Sequence, residues 1–332
     1  MITMKIKPRV MVLGTGRALP EKILTNADLE KLVDTTDSWI VDRTGIRERR
    51  VVAPGVPLSE LATRAALAAL ADADIAAADI DLIIVGTVTG DMKFPATACI
   101  VQERIGAGNA VAFDLSAACS GFLYSLQVAS GLMVTAGYRH ALIIGGDVLT
   151  SMVDWDDRDT CVLFGDGAGA AILGPATGSR GLLATYMRSN GAHHRLLYNP
   201  GCGSLNPPTP QNIHEKIHTI RMEGRDVFRH AVVAMSDALL QVLSASGMTI
   251  DDLDLLIPHQ ANLRIIEAVA KRFGAPLDKV YVNVDRYGNT SAGSIPIALD
   301  EARRSGRITS GDTVGLVTFG AGFTWASGIL RL

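Results

Sequence analysis

The sequence predicts a layered α/β protein built from two similar halves. Three observations predict it. The chain repeats its own order of elements, short apolar runs alternate with helical stretches, and glycine is abundant (33 residues) while aromatics make up only 5%.

The repeat is read element by element. In the first half an alanine-rich helical stretch at 59–73 precedes Asp79-Ile-Asp-Leu-Ile-Ile84. In the second, a helical stretch at 227–246 precedes Leu253-Asp-Leu-Leu-Ile257. Both runs are short, apolar and bounded by polar residues, as buried strands are. Residues 111–115 and 280–284 read as the next strands, leading to Cys119 and Asn289. Residues 141–145 and 313–318 read as buried strands again. Phe164-Gly165-Asp166-Gly167 then finds its counterpart in Phe319-Gly320-Ala321-Gly322, each followed by an apolar strand. Strands alternating with helices imply mainly parallel sheets covered on both faces. Glycine, proline, threonine and serine collect at 174–181, which divides the chain into halves 1–176 and 177–332. Segment 191–217 follows no regular pattern and reads as a long surface loop.

Composition narrows the function. A chain of 332 residues with 48% apolar side chains can bury a large core across two linked halves. A formal charge of −3 argues against a general nucleic-acid binder, which needs a basic face to displace counterions. The four cysteines form no C-x-x-C pair and no zinc spacing, so neither a disulfide framework nor a metal site is expected. Lys5, Lys7 and Arg9 precede an apolar run that ends at Gly14-Thr15-Gly16, too short for a signal-peptide core. No segment is expected to span a bilayer, and the chain reads as soluble and cytoplasmic.

Three segments carry chemistry. Asp114-Leu-Ser-Ala-Ala-Cys119-Ser-Gly-Phe122 is a strand end, a small-residue turn and the start of an apolar-periodic helix (Phe122, Leu126, Ala129, Met133). A cysteine at a helix start is expected to favour the thiolate, because unpaired N–H groups and the dipole point at it. Such a sulfur suits a nucleophile that forms and releases a thioester. Taken alone, the segment fits a packed cysteine equally well; Cys99, placed inside a helix, is read that way. In Ile257-Pro258-His259-Gln260-Ala261-Asn262 an apolar strand ends at a histidine and a helix begins near Ala261. Strand ends of this kind line ligand crevices in α/β folds. Tyr287-Gly288-Asn289-Thr290-Ser291-Ala292-Gly293 is again a strand end turning into a helix. If the halves are symmetric, Asn289 takes the place of Cys119 in the second.

These residues belong to longer motifs that resemble the β-ketoacyl-acyl carrier protein synthase III family along essentially the whole chain. The blocks are Asp37-Ser-Trp-Ile-Val-Asp-Arg-Thr-Gly-Ile-Arg-Glu-Arg-Arg50, Ser116-Ala-Ala-Cys119-Ser-Gly-Phe122 and Phe164-Gly-Asp-Gly-Ala-Gly-Ala-Ala171. Pro258-His-Gln-Ala-Asn-Leu-Arg264, Gly288-Asn-Thr-Ser-Ala292 and Phe319-Gly-Ala-Gly-Phe-Thr-Trp325 complete them. The resemblance implies the five-layered αβαβα thiolase-like fold with two pseudo-symmetric halves. It implies a Cys119–His259–Asn289 triad and a ping-pong condensation: an acyl group moves from acyl-CoA to Cys119, and malonyl-acyl carrier protein then decarboxylates and attacks it. The backbone N–H groups of Cys119 and Ala321 are implied to form an oxyanion hole; family members often carry glycine at Ala321, a change a backbone donor tolerates.

The same resemblance places Trp39, Arg43, Arg158, Gly224, Phe228 and Asn262 along coenzyme A and its pantetheine arm. It places Arg229, Gln260, Arg264, Lys271 and Arg272 at the docking surface for the acidic carrier protein. On the helix after His259, Arg264 and Lys271 share a face, and Arg225 pairs with Arg229 at i, i+4 on another helix. Phe94 matches a position that closes the acyl tunnel across a homodimer interface. No resident cofactor is implied, since acyl-CoA is a substrate. Acyltransferases of specialised metabolism with other acceptors share nearly the same motifs, and a Cys-His hydrolase or a non-catalytic acyl-binding subunit stands further off.

Overall fold

The computed structural model describes residues 9–332, so Lys5 and Lys7 lie outside the described residues. Strands β1 (Val10–Ala18), β2 (Leu82–Gly86), β3 (Val111–Leu115), β4 (Ala141–Val148) and β5 (Asp166–Pro175) form one sheet in the order β1-β5-β4-β2-β3. Strands β6 (Gly181–Ser189), β7 (Leu255–Pro258), β8 (Thr313–Gly320) and β9 (Thr324–Arg331) form the other, in the order β6-β9-β8-β7. The first four positions of the two orders match, and β3 at the edge of the first sheet has no strand counterpart in the second. In each, one parallel pair stands at the same place: β2 with β4 in the first sheet and β7 with β8 in the second.

Two expectations need correcting here. The sheets are mixed: β5 runs antiparallel to β4 and β1, and β9 to β8 and β6. The turn at 321–323 joins β8 directly to β9, and so short a connection permits only antiparallel pairing. Residues 280–284 form no regular strand. Val280 makes a single parallel bridge to Leu256, and a helical turn begins at Val284. The N–H groups of Asn283 and Val284 donate instead to the Gln260 side-chain oxygen, at 2.9 and 3.2 Å. A side chain therefore satisfies donors that a neighbouring strand would otherwise take.

Period-two alternation sorts each strand between two layers. Helix α1 (Asp37–Thr44) carries Trp39 and Arg43, and Ile83, Val85, Leu142 and Ile144 pack outward against α2 (Leu58–Ala73) and α3 (Thr97–Ile105). Leu82, Ile84 and Ile143 face inward, onto α4 (Gly121–Thr135) and α7 (Ser294–Arg304). Leu255, Ile257, Val314 and Leu316 of the second sheet cover the same two helices from the other side. Leu256, Val317, Phe319 and Ile329 face α5 (Gly224–Ser246) and α6 (Leu263–Phe273). The layers thus run helix, sheet, helix, sheet, helix. Close approach at the centre depends on Gly86, where a Cβ would lie 2.6 Å from the backbone of Gly121, the first residue of α4.

By length and composition alone, Ala118–Thr135 and Gly224–Ser246 reach the apolarity of a membrane-crossing helix. Core packing accounts for that apolarity. Phe122, Leu123, Leu126, Ala129 and Met133 sit between the sheets, and Val227, Ala231, Met235, Leu239 and Val242 sit on the second sheet. Full burial of each large aliphatic side chain stabilises by about 1.5–3 kcal/mol. Segment 191–217 is also more ordered than expected, with two single-turn helices and the pair Leu197–Tyr198, which joins Arg221–Met222 as a short ribbon.

Candidate active site

Cys119 stands in a single helical turn, Ala118–Ser120, directly ahead of α4. Ala118 adopts a left-handed φ of 47°, which turns the chain from strand to helix. The turn is bound to the opposite half: Thr318 Oγ1 donates to the Cys119 carbonyl at 3.0 Å, and Thr324 Oγ1 to the Ala117 carbonyl at 2.9 Å. Gly320 closes this contact, since a Cβ there would lie 2.7 Å from the Cys119 nitrogen.

The thiolate expected from the helix start is not favoured. Burial pushes the Cys119 thiol up to about 12; the Ser291 hydroxyl, 3.5 Å from Sγ, opposes that shift, and the charge of Asp147 adds to it. Removing the sulfur from water disfavours its charged form and is the largest influence on it.

His259 follows the end of β7. Its backbone N–H donates to Val317 at 2.8 Å, its Nδ1 lies 2.6 Å from Ser294 Oγ, and it is 4% exposed. Burial drives its pKa down to about 3, so the imidazole is neutral at physiological pH. Its neighbour Gln260 corrects the docking assignment, because it is 1% exposed and cannot meet a carrier protein. Its amide donates to the carbonyls of Pro258 (2.8 Å) and Tyr281 (3.0 Å) and accepts from Asn283 and Val284. Gln260 braces the His259 strand end against the segment leading to Asn289. The helix beyond starts at Leu263, with Asn262 as its cap: the Asn262 side chain accepts from the Arg264 N–H at 2.9 Å.

Asn289 is held by the first half. Its N–H donates to Leu163 at 2.8 Å, and its carbonyl accepts from Gly165 at 3.0 Å. Its side-chain Oδ1 accepts from the Ser291 N–H at 2.8 Å, which leaves the Nδ2 amino group as the donor end. The symmetry is offset from the sequence expectation. Ala118 (φ 47°) and Ser291 (φ 51°) are the equivalent left-handed residues, each opening a turn that runs into a central helix. Cys119 therefore corresponds to Ala292, and Asn289 lies upstream. Each half nevertheless anchors the site segment of the other.

Cys119, His259 and Asn289 line one cavity of about 710 Å³. Trp39, Arg43, Gly224, Phe228, Asn262 and Arg264 line it too. Arg43 lies 4.4 Å and Arg158 5.1 Å from the Trp39 ring, and Arg264 lies 6.0 Å from Phe228. Arg225 also lines the cavity. Arg229, paired with Asp226, is exposed on α5, and Lys271 and Arg272 are exposed on α6. Phe94 is 83% exposed and outside the cavity. The cavity wall beside Cys119 is formed by Gly320; Ala321 follows it, its carbonyl accepting from Thr324 Oγ1 at 3.1 Å. Among the described residues, no three His, Cys, Asp or Glu side chains gather as a metal site.

Several contributors escaped the sequence reading. Leu197 and Met222 line the cavity from the segment read as a plain loop and from its ribbon partner. Ser291 and Ser294 touch the triad from within a run of small polar residues where nothing local distinguishes them. Asp147 is fully buried, its Oδ1 accepting from Thr87 and Thr89 hydroxyls at 2.8 Å each.

Known proteins match this chain along nearly its whole length. The family described as 3-Oxoacyl-[acyl-carrier-protein (ACP)] synthase III matches residues 113–191, and its C-terminal counterpart matches residues 243–332. The beta-ketoacyl-[acyl-carrier-protein] synthase III of Caldanaerobacter subterraneus subsp. tengcongensis is 53% identical over 320 residues, covering 96% of this chain and 97% of that one. The crystal structure of 3-oxoacyl-[acyl-carrier-protein] synthase III from Aquifex aeolicus VF5 superposes with a TM-score of 0.91 at 43% identity, covering 97% of this chain and 100% of that one. The priming beta-ketosynthase of the R1128 polyketide pathway has a TM-score of 0.90 at 34% identity, covering 99% and 98%. The chain belongs to the 3-oxoacyl-[acyl-carrier-protein] synthase III family of condensing acyltransferases, with their thiolase-like fold.

Proposed function

We propose that the enzyme condenses a short acyl-CoA primer with malonyl-acyl carrier protein, giving 3-oxoacyl-acyl carrier protein, CoA and carbon dioxide at the start of fatty acid synthesis. The observation that carries this reading is the cavity in which a thiol, a neutral imidazole and an amide donor meet. Acyl-CoA enters with its adenine and phosphates at Trp39, Arg43 and Arg158 and its pantetheine arm along Gly224, Phe228 and Asn262. Cys119 Sγ attacks the thioester carbonyl, the C–S bond to CoA breaks, and the thiol proton leaves with the CoA thiolate. The tetrahedral oxyanion is held by the N–H groups of Cys119 and Ala321.

Malonyl-carrier protein then docks through Arg229, Arg264, Lys271 and Arg272, whose positive charges suit an acidic partner. As the C–C bond to carboxylate breaks, charge builds on the thioester oxygen. His259 and Asn289 are neutral donors placed for that oxygen, and a dry cavity strengthens them. The resulting carbon nucleophile attacks acyl-Cys119, the C–S bond breaks, and the sulfur takes a proton from water to regenerate the thiol. Acyl-CoA is consumed as substrate, so the cycle calls for no resident cofactor. Exposed Phe94 and Met92, with Val111 on the edge strand β3, support a homodimer formed on that side. Use of acyl-CoA and acyl carrier protein as substrates supports a cytoplasmic location.

Incubation with acyl-CoA, read by intact mass, tests the first step. Wild-type protein gains one acyl group, and Cys119→Ala gains none while keeping its fold. An active Cys119→Ala protein would refute the assignment.

A further inference from the structure

We propose that Ser294 is a positioning residue that fixes His259 in its Nε2–H tautomer, so that the imidazole can only donate into the cavity. The inference rests on the donor role given to His259 above. Its basis is a chain of three groups closed off from water: Ser294 is 2% and His259 4% exposed. Ser294 is the first residue of the central helix α7, while His259 sits at the end of β7, so helix and sheet bring together residues 35 apart in sequence.

Among the described residues the Ser294 hydroxyl oxygen has two partners. The Gln260 backbone N–H donates to it at 3.4 Å, and His259 Nδ1 lies 2.6 Å away. If Nδ1 carried the proton, two N–H groups would point at one oxygen, and the serine O–H would have no acceptor in a buried site. Leaving a buried donor unpaired forfeits its hydration with nothing in return. If Nδ1 is bare, every group is satisfied: Gln260 N–H donates to Oγ, and Oγ–H donates to Nδ1. The ring proton then resides on Nε2. In the opposite tautomer Nε2 would present a lone pair to the developing enolate oxygen and repel it.

The pattern is repeated at Asn289, whose acceptor oxygen is occupied by the Ser291 N–H. Both side chains thus have their acceptor ends occupied from the segment at 291–294, leaving donors for the substrate. Ser294 does not line the cavity and acts only through the imidazole.

The test is nitrogen NMR of resting protein labelled with 15N-histidine, the His259 signals being identified by their absence in His259→Gln. Wild-type protein should show Nδ1 unprotonated and Nε2 protonated; a protonated Nδ1 would overturn the proposal without any turnover being measured. Ser294→Ala should move the His259 signals toward a mixture of tautomers. It should slow malonyl decarboxylation on the order of 10- to 100-fold, less than outright loss of an oxyanion donor. Acyl loading of Cys119, read by mass, should change by less than about threefold. Ser294→Thr, which keeps the hydroxyl, should restore both the signals and the rate. Equal loss in both half-reactions, unrestored by threonine, would show a merely structural serine and reject the proposal. A correct tautomer with no effect of His259→Gln on decarboxylation would instead reject the donor role on which the proposal builds.

Discussion

The side-chain oxygen of Asn289 accepts the backbone N–H of Ser291 at 2.8 Å, and this bond decides which end of the amide can meet a substrate. With the oxygen held, the amino group remains. Asn289→Asp keeps the bond to Ser291 but replaces the donor with a negative oxygen. It should fold normally and lose decarboxylation, measured as carbon dioxide release, by about 10²–10³. His259→Ala should lose a similar factor. In both, loading of Cys119 from acyl-CoA should fall less than tenfold. Equal loss in both half-reactions would contradict the division of labour.

Cys119 should titrate late. Its thiol is pushed up to about 12 by burial, so alkylation by neutral iodoacetamide should keep accelerating as pH rises past 9. A plateau reached below pH 8 would show a preformed thiolate and return the helix dipole to first place.

His259 should make the fold acid-sensitive. An unfolded imidazole protonates near 6.5, whereas the buried one resists to about 3. Between these values the unfolded chain binds the extra proton, so stability is complete above pH 6.5 and declines as pH falls toward 3. The slope for one proton approaches about 1.4 kcal/mol per pH unit. Urea midpoints of His259→Gln should fall less steeply than wild type across this window. Identical slopes would remove His259 from the account.

Gln260 and Arg264 should separate stability from docking. Gln260→Ala strands four backbone groups and should cost at least about 4 kcal/mol in urea unfolding, at about 1–3 kcal/mol per unpaired group. Arg264→Glu, at an exposed position on the cavity rim, should leave stability near wild type. It should raise KM for the carrier protein, with the deficit shrinking as salt is added. A Gln260→Ala protein of normal stability with a raised carrier KM would restore that residue to the docking surface.

Local patterns in the chain specified most of the central strands and the three site segments, but not the irregular course of 280–284. Leu82 and Ile84 separate from Ile83 and Val85 by alternation alone, and Cys119, His259 and Asn289 each stand where an apolar run gives way to small or polar residues. Tertiary structure decided the states of those groups. The proton on Cys119, the direction of Gln260, the donor ends of His259 and Asn289, and the offset between the halves depend on water removed and partners supplied by distant segments. Thr318 binds the Cys119 turn from 199 residues away, and Leu163 holds Asn289 across the two halves. Periodicity is a property of neighbours along a chain; desolvation and hydrogen-bond direction belong to neighbours in space.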